Sequence, residues 1–260
     1  MVVVIVVALV VAKVAGAGSG GAPRQPLPAA DAAKLTSVPL TTLLAAGAKQ
    51  SVIWPTSISQ ASLSVGGKPD MLYIGAEFCP ICATQRWPMT VALSHFGTFT
   101  NLQQTHSAVS DGNIPTLSYY GSTFTSPYLT FTPVENTTNQ PTSSGYKPLQ
   151  TPTPAQNALW QANSPNGETY PFIYIDGKWL LQTSQFPDTA LEGHSFNQIL
   201  NSVGNNNTTI GAAIDASAAV LIQKICSVTG EQPAATCAAS RAAPLAPPSS
   251  TSGSSSSASG

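Results

Sequence analysis

The chain has 260 residues, and 42% of them are hydrophobic, enough to fill a core and to argue against wholesale disorder. Only 8% are Asp, Glu, Lys or Arg, against about a quarter in typical soluble domains, with Ser, Thr, Asn and Gln in their place. A net charge of -1 with no Lys/Arg cluster argues against a nucleic-acid partner, because phosphate binding needs a basic footprint.

The chain begins "MVVVIVVALVVAKVAGAGSGGAPRQP", with an unbroken apolar run from Val2 to Ala12 that stops at Lys13. That run is short of the roughly 20 residues needed to cross a bilayer, and it fits the apolar region of an export signal. Ala15-Gly16-Ala17 has the small residues of a cleavage site, although no basic residue precedes the run. Residues 1–17 are therefore expected to be a membrane anchor or signal segment, with the rest of the chain outside the cytoplasm. Residues 18–35, mostly Gly, Ala and Pro, are expected to be a flexible linker.

A domain is expected over 36–240. "LTSVPLTTLLAAGA" suggests a short helix, and "SVIWP" and "SISQASLSV" short strands. "GGKPDMLYIGAEF" predicts a turn followed by a buried strand through Met71–Ile74. A helix follows Cys79, with Pro88 as its expected kink. The Thr-, Tyr- and Pro-rich stretch beyond it favours strands and loops. "TPTPAQNALWQAN" predicts a helix, and "YPFIYIDGKWLLQ" a hairpin turning at Asp176-Gly177. "SFNQILNSV" and "TIGAAIDASAAVLIQKIC" predict two more helices, the second amphipathic. Residues 241–260, rich in Ser and Pro, are expected to be disordered. This order of elements predicts an α/β layered domain.

The chemistry centres on "YIGAEFCPIC". A Cys-x-x-Cys where a strand meets a helix suits thiol–disulfide exchange, because unsatisfied N–H groups at a helix start favour a thiolate. Cys79 is then the attacking thiol, expected to be the more exposed and lower-pKa of the two, and Cys82 the resolving one. Such exchange calls for no cofactor and no metal. Two alternatives stand beside it: a thiol-based copper site using Cys79, Cys82 and a histidine, and a purely structural disulfide. His95, His106 and His194 are scattered, and a structural zinc lacks a second close cysteine pair. Cys226 and Cys237 flank a Gly/Pro-bearing loop and most simply form a structural disulfide, with a second shuttle pair as the alternative.

"YIGAEFCPIC" resembles the strand-to-helix segment of thioredoxins, and "TYPFIYIDGKWL" is similar to the segment in which they place a cis-proline before a hairpin. The resemblance implies a thioredoxin-like fold, a central mixed sheet flanked by helices. It also makes Pro171 the cis-proline facing the cysteines, with Tyr170 beside it in substrate binding. The chain between Cys79 and Pro171 is long, so residues 101–146 are expected to be a strand- and loop-rich insertion over one side of the fold. Tyr119, Tyr120, Tyr128 and Phe131 either line a groove there or fill the insertion's own core.

The fuller pattern, "YIGAEFCPICATQRWPM", "HFGTF", "TLSYYGSTFTSPYLTFTPVE" and "ICSVTGEQPAATC", resembles the domain of unknown function 929 family over residues 36–238. That family implies an exported or membrane-tethered thioredoxin-like protein. Its expected partners are exported proteins with cysteines and a membrane or thiol partner that recycles the pair; a non-catalytic binding module is the alternative.

Five positions depart from thioredoxins or bear on the pair. Tyr73 stands where thioredoxins carry a buried acid. Glu77 is expected to be exposed and Asp70 to lie in the turn. Arg86, one turn beyond Cys82, either faces the pair or, more simply, is solvated. Ile81 offers no donor or charge between the cysteines, so an intermediate redox poise is expected.

Overall fold

The computed structural model describes residues 21–164 and 167–249. The expected signal or anchor at 1–17 and the tail from 250 onward lie outside the described residues. The chain opens with β1 (Gln25–Pro26), α1 (Ala29–Thr36), α2 (Leu40–Gly47), β2 (Thr56–Ser57) and β3 (Ser64–Val65). β4 (Lys68–Gly75) leads into α3 (Pro80–Leu93), which continues through Pro88.

Seven short strands follow: β5 (Thr98–Thr100), β6 (Gln103–His106), β7 (Pro115–Ser118), β8 (Thr123–Thr125), β9 (Thr130–Glu135), β10 (Thr137–Thr142) and β11 (Gly145–Pro148). The chain closes with α4 (Pro154–Ala162), β12 (Phe172–Ile175), β13 (Trp179–Leu181), α5 (Phe196–Ser202), α6 (Thr209–Cys226) and α7 (Ala234–Ala242).

A six-stranded mixed sheet organises the molecule, in the order β2-β13-β12-β4-β3 with β9 joined to β4. β9 runs parallel to β4, and β12 runs antiparallel to it. Side chains alternate across a strand. Met71 and Tyr73 of β4, with Ile173 and Ile175 of β12, therefore enter the core shared with α3 and α6. Leu72, Ile74, Phe172 and Tyr174 face the other way, into a smaller core closed by Trp160 of α4. Burial on both faces explains why β4 reads as a continuous apolar run.

The β12–β13 turn uses left-handed backbone at both Asp176 (φ 46°) and Gly177 (φ 71°), and Lys178 N–H donates to Ile175 O across it. Thr153 and Ser195 cap α4 and α5, each reciprocated by the Gln three residues on. α6 is long and apolar enough to cross a membrane by composition, but 83% of it is buried inside this fold, where it packs on α2 and α3.

Three sequence-based boundaries shift. Residues 21–35 are folded rather than free: β1 pairs with β6, Gly21 N–H donates to Asn139 O, and α1 follows. The segment 101–146 is not wholly an insertion, because it contains β9, a strand of the main sheet. Residues 241–249 complete α7 and then dock: Leu245 packs against the core, and Ala246 and Ser249 donate to Gly47 O and Val52 O. "SVIWP" forms no strand, although Val52 is buried.

Candidate functional site

β4 ends at Gly75, the chain turns through Ala76-Glu77-Phe78, and Cys79 caps α3. Its Sγ accepts the backbone N–H of Cys82 at 3.2 Å, with Pro80 in the first helical turn, where the missing N–H costs nothing. Both thiols are free. Cys79 keeps 5% of its surface exposed and Cys82 none, so Cys79 lies nearer the surface of the two. Ala76, Phe78, Ile81 and Tyr170 pack around the pair.

The loop before β12 lies against Cys79. The Tyr170–Pro171 bond is cis, and the Cys79 thiol points at Tyr170 O, 4.0 Å away. The Tyr170 hydroxyl accepts from Asn136 Nδ2, which follows β9, and its ring packs against Trp160 at 5.1 Å. Phe78 meets the Tyr170 ring edge-on at 6.1 Å and stacks on Tyr146 of β11 at 4.2 Å. The four sequence-predicted residues Cys79, Cys82, Tyr170 and Pro171 are thus brought together.

Behind the pair lies a buried charge network. Arg86 and Glu135, both fully buried, join through Nε–Oε1 at 3.0 Å and Nη2–Oε2 at 2.7 Å. Arg86 Nη2 also donates to Ala76 O at 2.8 Å. Tyr119 N–H donates to Glu135 at 3.2 Å. Arg86 is therefore not solvated. Glu77, 1% exposed, accepts from Arg24 at 2.8 Å and Ser118 at 2.6 Å, contrary to the expectation of an exposed acid. Asp70 lies within β4 rather than in the turn, and burial raises its carboxyl to about 6 against the hydrogen bond from Thr132.

Burial raises Cys79, and its hydrogen bond toward Cys82 raises it further. At Cys82 burial is outweighed by the hydrogen bond from Cys79 and by the Arg86 guanidinium, and the thiol falls below its ordinary value. The pair titrates as a unit, losing one proton easily and the second with difficulty. The expected order is therefore reversed for acidity while it holds for exposure, because the bond between the two thiols favours the charge on the inner sulfur and the buried Arg86 adds to it.

Elsewhere, Cys226 and Cys237 form a disulfide joining the end of α6 to α7. Tyr119 and Phe131 are core residues in an aromatic cluster with Phe99 and Phe124. Tyr128 packs on the edge of that core, and Tyr120 lies under the Arg24 guanidinium at 4.6 Å. Among the described residues no three His, Cys, Asp or Glu side chains gather to hold a metal. Sequence reasoning missed the carboxylates, Glu135 and the buried Glu77; the signal available was Arg86 itself, one helical turn from Cys82 in an apolar helix.

A family model described as "Domain of unknown function (DUF929)" matches residues 55–227. No curated protein and no solved structure matches the chain.

Proposed function

This chain belongs to the DUF929 family, whose description leaves the activity open, and from that premise we propose that it is a thiol–disulfide oxidoreductase acting outside the cytoplasm. The observation that carries the reading is Cys79 capping α3, the less buried of the two cysteines and with its thiol facing Tyr170 O, while Cys82 is sealed one turn behind. A thioredoxin-like fold fits the run β9-β4-β12-β13, one parallel pairing followed by two antiparallel ones, with the cysteines where β4 meets a helix. An oxidising compartment accords with the Cys226–Cys237 disulfide, and the Val-rich run at the start of the chain accords with export or anchoring.

In the oxidising direction a substrate thiolate attacks Cys79 Sγ. The Cys79–Cys82 bond breaks, Cys82 leaves as the thiolate, and a substrate–Cys79 mixed disulfide forms. A second substrate thiolate then attacks the substrate's sulfur in that bond and releases Cys79 as a thiolate. The substrate has lost two electrons and the pair has gained them. In the reducing direction Cys79, as the thiolate, attacks a substrate disulfide, forms the mixed disulfide and displaces one substrate thiolate. The Cys82 thiolate then attacks Cys79 Sγ, closes the Cys79–Cys82 bond and releases the second substrate thiolate, so the pair loses two electrons to the substrate. Tyr170 borders the reacting sulfur and its carbonyl and hydroxyl orient the approaching chain. A membrane or soluble thiol partner returns the pair to its working state.

Cys82→Ser removes the resolving sulfur and is expected to accumulate mixed disulfides on exported proteins through Cys79, whereas Cys79→Ser traps few. Non-reducing gels with mass mapping read the adducts. Neither variant forming adducts, with Cu(I) bound stoichiometrically through both cysteines instead, would replace this reading with metal handling.

A further inference from the structure

The fold leaves two buried donors unused beside the cysteine pair. Arg86 spends Nε and Nη2 on Glu135 and Ala76 O, while its Nη1 has no partner; the Tyr73 hydroxyl has none either. Both side chains are fully buried. An unmade hydrogen bond in the interior is costly, so each such group calls for a reason.

Their positions converge on one short stretch of backbone. A Cβ placed on Gly75 would lie 2.0 Å from the Tyr73 hydroxyl oxygen, so the phenol is folded along β4 onto Gly75. The Arg86 guanidinium is anchored on the carbonyl of the next residue, Ala76, and its carbon lies 5.8 Å from the Tyr73 ring centroid. Ala76 in turn packs against Cys79 and Cys82. Arg86 follows Cys82 by four positions in α3, which stacks the two side chains on one helix face.

We infer that Tyr73 and Arg86 are positioning residues for Cys82, two donors held ready for the thiolate that Cys82 becomes when the disulfide opens. The inference rests on the exchange reaction proposed above. The Cys82 sulfur receives the electron pair of the broken bond at a place solvent does not reach, where an oriented donor acts most strongly. Glu135 on β9 opposes that charge and Arg86 favours it. The Cys79 thiol on the same helix shares its proton with Cys82, and Tyr170 faces the pair from the loop before β12. Glu77 acts on Glu135, and Tyr119 adjoins both members of the ion pair. Burial keeps Tyr73 a neutral phenol, a donor whatever the working pH.

Tyr73→Phe is the clean test, since it removes one oxygen that has no partner and the fold is expected to keep its packing. Thiolate absorbance is followed against pH on the reduced full chain, and the pair is equilibrated with glutathione. Loss of one donor to an anion is expected to lower the thiolate fraction at a fixed pH by roughly tenfold and to shift the glutathione equilibrium toward the disulfide by a similar factor. Arg86→Lys keeps the charge but not the two-pronged geometry, and is expected to move both readouts the same way. Parent values for Tyr73→Phe in both measurements would overturn the inference. If Cys82→Ser still traps adducts in that case, the exchange reading survives alone. If trapping fails while Tyr73→Phe shifts the ionisation, the positioning role stands and exchange falls.

Discussion

Arg86 and Glu135 hold each other by two hydrogen bonds with neither side chain in contact with solvent. Removing one partner of such a pair strands a charge in the interior, a loss of about 3–5 kcal/mol, whereas replacing both with apolar groups is often nearly neutral. Arg86→Met is therefore expected to lower unfolding free energy on that order in urea denaturation, and Arg86→Met with Glu135→Leu to recover most of it. A double variant as unstable as the single would show that Arg86 acts through its hydrogen bond to Ala76 instead. Gly75 is equally constrained, since its missing side chain leaves the space the Tyr73 hydroxyl fills. Gly75→Ala forces the phenol aside, and overpacking of this kind costs about 1–3 kcal/mol. The cysteine pair was legible in the sequence because two cysteines at this spacing after an apolar run admit few chemistries. Glu135 was not, because it lies 49 positions from Arg86 and only the parallel pairing of β9 with β4 brings it there.

Elements with local signals were readable, and those defined by distant pairing were not. The capping boxes at Thr153 and Ser195 and the Asp176-Gly177 turn are short-range chemistry, and the helices and hairpin stand where that chemistry placed them. β9 is hidden in a Thr-rich stretch resembling its neighbours, and only the sheet distinguishes it. α7 carried no strong pattern: a nine-residue helix of small residues is marginal alone, and it is stapled to α6 through Cys237. The staple closes a loop of sequence separation 11, a contribution of about 2–3 kcal/mol. Cys226 is 3% exposed and Cys237 not at all, and a buried structural disulfide resists reduction more than a catalytic one. Under mild dithiol treatment the Cys79–Cys82 bond of the oxidised protein is expected to open while Cys226–Cys237 persists. Mass mapping after alkylation checks the order, and the reverse order would make the second pair a participant in exchange.

For the molecule as a whole, acidity bears on stability through its few buried carboxylates. Asp215 of α6 is raised from 3.8 to about 6 by burial, against the hydrogen bond from Gly204 N–H. A raised carboxyl favours folding as the neutral acid. Its contribution is complete below the unfolded value near 4 and is lost as pH rises through about 6. Asp70 has the same sign and range. His95 and His106, lowered by burial, work oppositely, since their contribution is lost as pH falls below about 6.5. Asp215→Asn isolates one term from this balance. The variant is expected to gain on the parent in thermal melts between pH 4 and pH 7.5, by up to about 3 kcal/mol. A gap that does not change with pH would mean that Asp215 is ionised throughout.

The staple between α6 and α7 also straddles a border. The family match ends at residue 227, one position past Cys226 and ten short of Cys237. A fragment cut at residues 55 and 227 keeps three of the four cysteines, an odd number that no internal pairing can satisfy. It also loses α2, which packs on α6, and Arg24, the cation on Glu77 two positions before Cys79. Cys226, sealed in the full chain, becomes in the fragment a stray sulfur able to capture Cys79 or a second molecule. Aggregation or scrambled exchange by such a fragment would reflect the parity of its cysteines, and a chain that keeps Arg24 at one end and α7 at the other retains both the cation on Glu77 and the paired Cys226.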